Sequence, residues 1–359
     1  MLTKQSTATL SPTFSSWSSL VASATGNVFG TSLEDWQKQI RISLSLPTNK
    51  PIVIVGHQPT FFHPGILAKF IAADRLVKQI DGVLVYLVVD HHKGKEGQLL
   101  TPLQREHLTV QSNTIAPIDS NIAMKDQPRV DIAEQLEPFT TALQNASGEN
   151  AAMQYAHASV TLMSPWVDVH HVITASELIL GEFGRAVVAE MNSHPQQCVD
   201  AYNNAVELFP KSGVSFLQEG ELPLWYGHTN ASERSDTKDI RPRAILLTLL
   251  ARLVACDLFV HGTGGISYDQ CMEHWCTRWL GVTPCHATMA TATLRIPFEF
   301  KTYNDARREY SSPSSDLQTK GKYLHAIQHA AYKSPQRLTE FQQMHSWLTS
   351  IQRPPNKNI

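Results

Sequence analysis

Pro51-Ile-Val-Ile-Val-Gly56, matched further on by Val83-Leu-Val-Tyr-Leu-Val-Val89, is a β-branched run with no polar alternation. A strand with one wet face alternates apolar and polar side chains, so an unbroken run marks a strand covered by helices on both faces, as in parallel sheets. Between the two runs, Ile66, Phe70, Ala73, Val77 and Ile80 recur at steps of four and three. That spacing is one core-facing stripe of a helix, with Pro64 suited to its first turn. Residues 51–92 therefore read as a βαβ unit, and the fold class as α/β with a parallel sheet.

Working outward, residues 1–46 are expected to form an amino-terminal extension. Its Ser/Thr-rich lead carries only Lys4 as a cation, which suits a frayed end better than an export signal. Ser32 to Leu46 has the apolar spacing of a short helix stopped by Pro47. Residues 131–210 show helical periodicity and are expected as a helical insertion, with helices over 132–144, 151–163, 175–192 and 196–208. Leu222 to Trp225 is a candidate edge strand, because Pro223 has no N–H to donate. A polar loop follows from Gly227 to Asp239. Pro242 to Ala255 is apolar nearly all round, a buried helix, and Cys256 to Val260 a strand leading into His261-Gly-Thr-Gly-Gly265. The next helix bears Tyr268, Met272, Trp275 and Trp279. Thr291 to Phe300 is a candidate edge strand, so the α/β core spans 47–300 and a polar helical segment occupies 301–359.

Hydrophobic residues make up 42% of the 359 and charged residues 17%, enough for a substantial core. Thirty basic against 32 acidic residues leave a net charge of -2, without the basic excess of a nucleic-acid binder. The longest apolar run, Ala244 to Val260, is interrupted by Arg252 and Asp257, which argues against a membrane span. Five cysteines with no CxxC pair point to reduced thiols in a cytoplasmic protein.

Three polar loops end strands, and in open parallel sheets ligands bind in the crevice outside the carboxyl ends of strands. The first holds Gly56, His57, Gln58, His63 and Gly65 before a helix start, where free amides and the helix dipole favour an anion; Lys69 lies one turn further in. The second is Asp90-His91-His92, an acid–base pair or a set of metal ligands. On an extended strand only one of the two imidazoles would face a given ligand. The third, His261, Gly262, Gly264 and Gly265, permits close backbone approach, with Tyr268 and Asp269 placed to hold a ribose or an amine. Arg241 and Arg243 are further candidate anion contacts. Each group has a structural alternative: turn satisfaction for His57 and Gln58, solvation for Lys69, a core role for Tyr268, helix capping for the arginines.

Gly56-His-Gln-Pro-Thr-Phe-Phe-His-Pro-Gly65, Val88-Val-Asp-His-His92 and Phe259-Val-His-Gly-Thr-Gly-Gly-Ile-Ser-Tyr-Asp269 resemble, in order, segments of the bacillithiol-biosynthesis cysteine-adding enzyme family, over residues 50–285. The resemblance implies a Rossmann-like fold related to class I nucleotidyltransferases. His63-Pro-Gly-Ile66 is similar to the HxGH signature of those enzymes, with Ile66 at the second histidine's position and no KMSKS-like lysine loop. That family's carboxyl-terminal coiled-coil dimer is not expected in this chain.

The function expected is a ligase- or transferase-like enzyme joining an amino acid, cysteine in the resembled family, or another amine to a small metabolite. His63, Asp90 and His91 are its catalytic candidates and ATP or ADP its candidate cofactor. Two alternatives stand beside it. One is a metal-dependent hydrolase using His57, His63, Asp90, His91 and His261; the other is a non-catalytic ligand-binding protein, which Ile66 favours.

Overall fold

The computed structural model describes residues 6–104, 108–226, 240–294, 314–330 and 334–351. A six-stranded sheet is built from β1 (Thr7–Ser11), β2 (Ile52–His57), β3 (Val83–Val88), β4 (His171–Thr174), β5 (Leu258–His261) and β6 (Ala287–Thr293). Their spatial order is β1-β6-β5-β2-β3-β4. β2 to β6 pair in parallel, and β1 lies antiparallel on β6 at the edge. The chain winds from β2 outward to β4, then returns to the other side of β2 with β5 and β6. This is a Rossmann-like α/β sheet whose winding reverses between β2 and β5, the place where such sheets leave a ligand crevice.

The apolar runs bury both of their faces. Ile52, Ile54, Val83, Val85 and Leu87 join one core cluster, and Val53, Val55, Leu84, Tyr86 and Val88 join another, because successive strand side chains point to opposite faces. Among the helices that frame the sheet and its loops are α1 (Leu33–Ser43), α2 (Pro64–Ile80), α3 (Ala151–Met163), α4 (Ala175–Leu180), α5 (Ala244–Leu250) and α6 (Thr263–Leu280). α2 buries Phe70, Ala73, Leu76 and Val77, close to the stripe its spacing predicts. Each large side chain buried in this way contributes about 1.5–3 kcal/mol. α5 runs on as a π-helical turn, Ala251–Ala255, within the span expected to be a single helix.

Several expectations need correction. The lead is not frayed from Thr7 onward: β1 belongs to the sheet, and Trp17 is fully buried. Its Thr-Ala-Thr-Leu-Ser sequence has no apolar period because pairing with β6 uses backbone groups. The helical insertion is narrower than 131–210, since β4 falls inside that stretch and pairs with β3; a helix at Phe139–Asn145 and α3 precede it. Residues 131–138 are not helical. Gly181 divides the third expected helix into α4 and Glu182–Ser193, and the fourth is Pro195–Leu208. Leu224–Tyr226 is a strand of a separate two-stranded ribbon with Ile240–Pro242, not an edge of the main sheet. β6 begins earlier than Thr291 and lies inside the sheet; residues 295–300 lie outside those described, as does the loop 227–239.

The chain groups into two compact units, residues 1–99 with 113–296 and residues 100–112 with 297–359. In the second, helices Ser314–His329 and Pro335–Ile351 bring the rings of Tyr323 and Trp347 to 5.9 Å. No helix among the described residues is long and apolar enough to cross a membrane.

Candidate functional site: a cationic crevice at the strand switch point

A cavity of about 880 Å³ opens beyond the carboxyl ends of β2, β3 and β5. β2 pairs Val55 with Val260 of β5, so Gly56 and His57 emerge beside His261. A Cβ at residue 56 would lie 3.0 Å from the Phe259 ring, and glycine allows the two strand ends to approach. The Tyr86 hydroxyl donates to Gln58 O at 3.0 Å and fixes the exit of the first loop. His57, largely buried and near Lys69, His63 and His92, is held down to about 3 by burial first and those neighbours second, so it is neutral near pH 7.

His63 caps α2: its Nδ1 accepts the Gly65 N–H at 3.1 Å, so the neutral ring carries its proton on Nε2. A Cβ on Gly65 would meet that ring at 2.9 Å. Lys69 is not the solvated lysine its position in a helix suggests. It is 3% exposed, donates to Gly56 O at 2.8 Å, and burial lowers it from 10.5 to about 8. Among the described residues no carboxylate pairs with it.

The second loop turns at once, His92 N–H donating to Val89 O at 3.1 Å. Both His91 and His92 therefore line the crevice, which an extended strand end would not permit. His92 Nε2 pairs with Glu96 Oε1 at 2.7 Å, while His91 Nδ1 is buried with no hydrogen-bond partner among the described residues. Asp90 is not among the residues lining the cavity: its Oδ1 accepts the Ser176 N–H at 3.1 Å in the first turn of α4 and lies 3.8 Å from His91 Nδ1.

The third loop is shorter than its glycines imply, since α6 starts at Thr263 with Gly262 as N-cap and no side-chain cap. The first amides of α6 lack intrahelical partners, as at any helix start, and Thr263, Gly264 and Gly265 line the cavity. Gly265 serves His261 more than a ligand: a Cβ there would lie 2.1 Å from His261 Nδ1. His261 Nε2 meets Asp269 Oδ1 at 3.1 Å, and Asp269 in turn meets the fully buried Arg252 at 2.6 Å. Burial lowers His261 more than Asp269 raises it. Burial also pushes Asp269 up, but His261 and Arg252 outweigh it and hold the carboxyl below its ordinary value. Asp269, expected as a ligand contact, stands behind His261 and is not among the residues lining the cavity. Tyr268 lines the wall, 3.3 Å from the Thr248 hydroxyl.

Arg241 lines the crevice while pairing with Asp126 at 2.8 Å. Arg243 does not line it: its guanidinium pairs with Glu221 and covers the Trp225 ring at 4.2 Å. No Asp or Glu is among the described residues lining the cavity, whereas Lys69, Lys93 and Arg241 are. No group of three His, Cys, Asp or Glu among the described residues has an arrangement that would hold a metal ion. Sequence reasoning missed Trp225, Thr291 and the Arg252 network. The signal for the last was available: an arginine interrupting an otherwise apolar helix must meet buried acceptors.

No family model matches the chain, and no curated protein matches it.

Proposed function

We propose that the crevice takes the phosphates of a nucleotide, ATP or ADP, and that the protein is a ligase- or transferase-type enzyme joining an amine to a small metabolite. One observation carries the reading: a buried lysine without a carboxylate partner faces a cavity whose described wall has no acid. A buried cation is costly unless something pairs with it, and a phosphate at the start of α6 supplies the counter-charge. Neutral His57 and the Nε2–H of His63 serve as hydrogen-bond donors to the same oxygens. The amine half rests on the resemblance to the cysteine-adding family. The proton lost by the amine goes to His91, which lines the cavity and keeps its Nδ1 toward Asp90 Oδ1 at 3.8 Å.

Calorimetric titration of ATP and ADP tests this reading. Wild-type protein should bind one or both, and His63→Ala and Lys69→Met should each weaken binding by about tenfold or more, a lost charge-assisted hydrogen bond being worth roughly 1.5–3 kcal/mol. No measurable affinity for either nucleotide, or full affinity in both variants, would overturn it. The metal-hydrolase alternative needs three ligands around one point, which the described residues do not supply.

A further inference from the structure

The cavity wall also carries residues that the phosphate reading does not use: Trp225, its cross-strand partner Arg241, and Pro242, Ala244 and Leu247. Trp225 is unusual for a large aromatic residue, being 54% exposed, in a strand of only three residues. Its ring is nevertheless held. The Arg243 guanidinium lies 4.2 Å from the ring centroid, and Glu221 anchors that guanidinium in turn. Since Arg243 does not reach the cavity, the indole presents to it a surface other than the one Arg243 covers. A ring clamped on one side and open on another toward a pocket is an aromatic platform: it adds stacking area with little ordering cost when a flat ligand group arrives. The volume fits as well, because about 880 Å³ accommodates a drug-sized ligand and far exceeds what an isolated phosphate fills.

We infer that Trp225, backed by Arg243, stacks the planar ring of a ligand whose anionic tail lies at Lys69, so the site selects ring-bearing phosphates, such as purine nucleotides, over plain phosphates. This inference rests on the anion reading above and deepens it. Arg243 then acts through Trp225, and the sequence-based assignment of Arg243 as an anion contact is replaced by that role.

The experiment compares ATP with inorganic triphosphate by calorimetry on the full chain, in wild type, Trp225→Ala and Trp225→Phe. Trp225 is exposed, so both variants are expected to keep the wild-type melting temperature, which is checked first. ATP should bind wild type on the order of tenfold to a hundredfold more tightly than triphosphate, the range for base–aromatic stacking. Trp225→Ala should abolish that preference without changing triphosphate affinity, and Trp225→Phe should retain most of it. Triphosphate binding with no preference for ATP, or a preference that survives Trp225→Ala, overturns the stacking role and leaves the anion reading intact. If neither ligand binds wild type, both fall.

Discussion

At the scale of single residues, Lys69 and His57 share one environment, and burial lowers both, but only Lys69 keeps its charge at pH 7. Lys69 is lowered from 10.5 to about 8 by burial, so between those values the unfolded chain holds a proton that the folded protein lacks. Stability from this group therefore rises with pH through that window, and at pH 7 the folded state carries the full cost of the buried charge. Lys69→Met should then stabilise the ligand-free protein at pH 7 by about 1–3 kcal/mol, read by urea unfolding, while weakening anion binding. A variant that lost stability and binding together would assign Lys69 to the scaffold. Because a bound phosphate favours the charged form, wild-type affinity should be flat below pH 8 and fall above it, and the Met variant should lose that dependence. His57, held at about 3, stays neutral in the native state while the unfolded chain protonates below 6.5. Its contribution is present above pH 6.5 and lost as pH falls toward 3, at about 1.4 kcal/mol per pH unit. His57→Gln should flatten the acid side of the stability profile by that amount; an unchanged slope between pH 6.5 and 4 would refute the assignment.

Among elements, the start of α6 separates two glycines that look equivalent on paper. Replacing a helical glycine by alanine gains up to about 1 kcal/mol, and a Cβ at Gly264 meets nothing within 4 Å. At Gly265 the same Cβ would overlap His261, whose ring is buried and tied to Asp269. Gly264→Ala should therefore be neutral or stabilising and Gly265→Ala destabilising by about 1–3 kcal/mol in thermal unfolding; equal melting temperatures would contradict the packing described. Behind that pair, Arg252→Met should cost about 3–5 kcal/mol by leaving Asp269 buried without its guanidinium. The same elements show what a sequence discloses. β2, α2 and β3 were legible because each writes its burial as an unbroken run or a stripe. β4 was not: four residues, His-Val-Ile-Thr, are too few to display a period, and helical segments surround them. The three loops could be placed at strand ends, yet the direction of Asp90 could not, because it depends on the amide of Ser176, far along the chain. Trp225 escaped for a related reason, since its clamp comes from Arg243 across a ribbon that neither residue announces.

For the molecule as a whole, the order β1-β6-β5-β2-β3-β4 depends on a segment that composition makes look dispensable. β1 is a polar, mostly exposed strand, but it pairs with β6 along all five of its residues. It thereby covers a backbone edge that would otherwise invite intermolecular pairing. Just after it, Trp17 is fully buried in the cluster containing Val53, Val55 and Phe70, with its Nε1 donating to Pro12 O at 3.0 Å. The amino-terminal segment is thus tied to the central strands by a large core side chain as well as by backbone pairing. Trp17→Ala should cost about 3–5 kcal/mol, the range for deleting a buried aromatic side chain. Trp166→Ala, at a residue 60% exposed, should change stability by less than about 0.5 kcal/mol. Deleting residues 1–22 should go further, because it removes the Trp17 plug and also uncovers β6, and the truncated chain should sediment as larger species than the full chain at equal concentration. If the truncated chain were as stable and as dispersed as the full one, the sheet would have to close at β6 without β1. Thr291, on β6 and in the crevice wall, would then sit on an open edge strand.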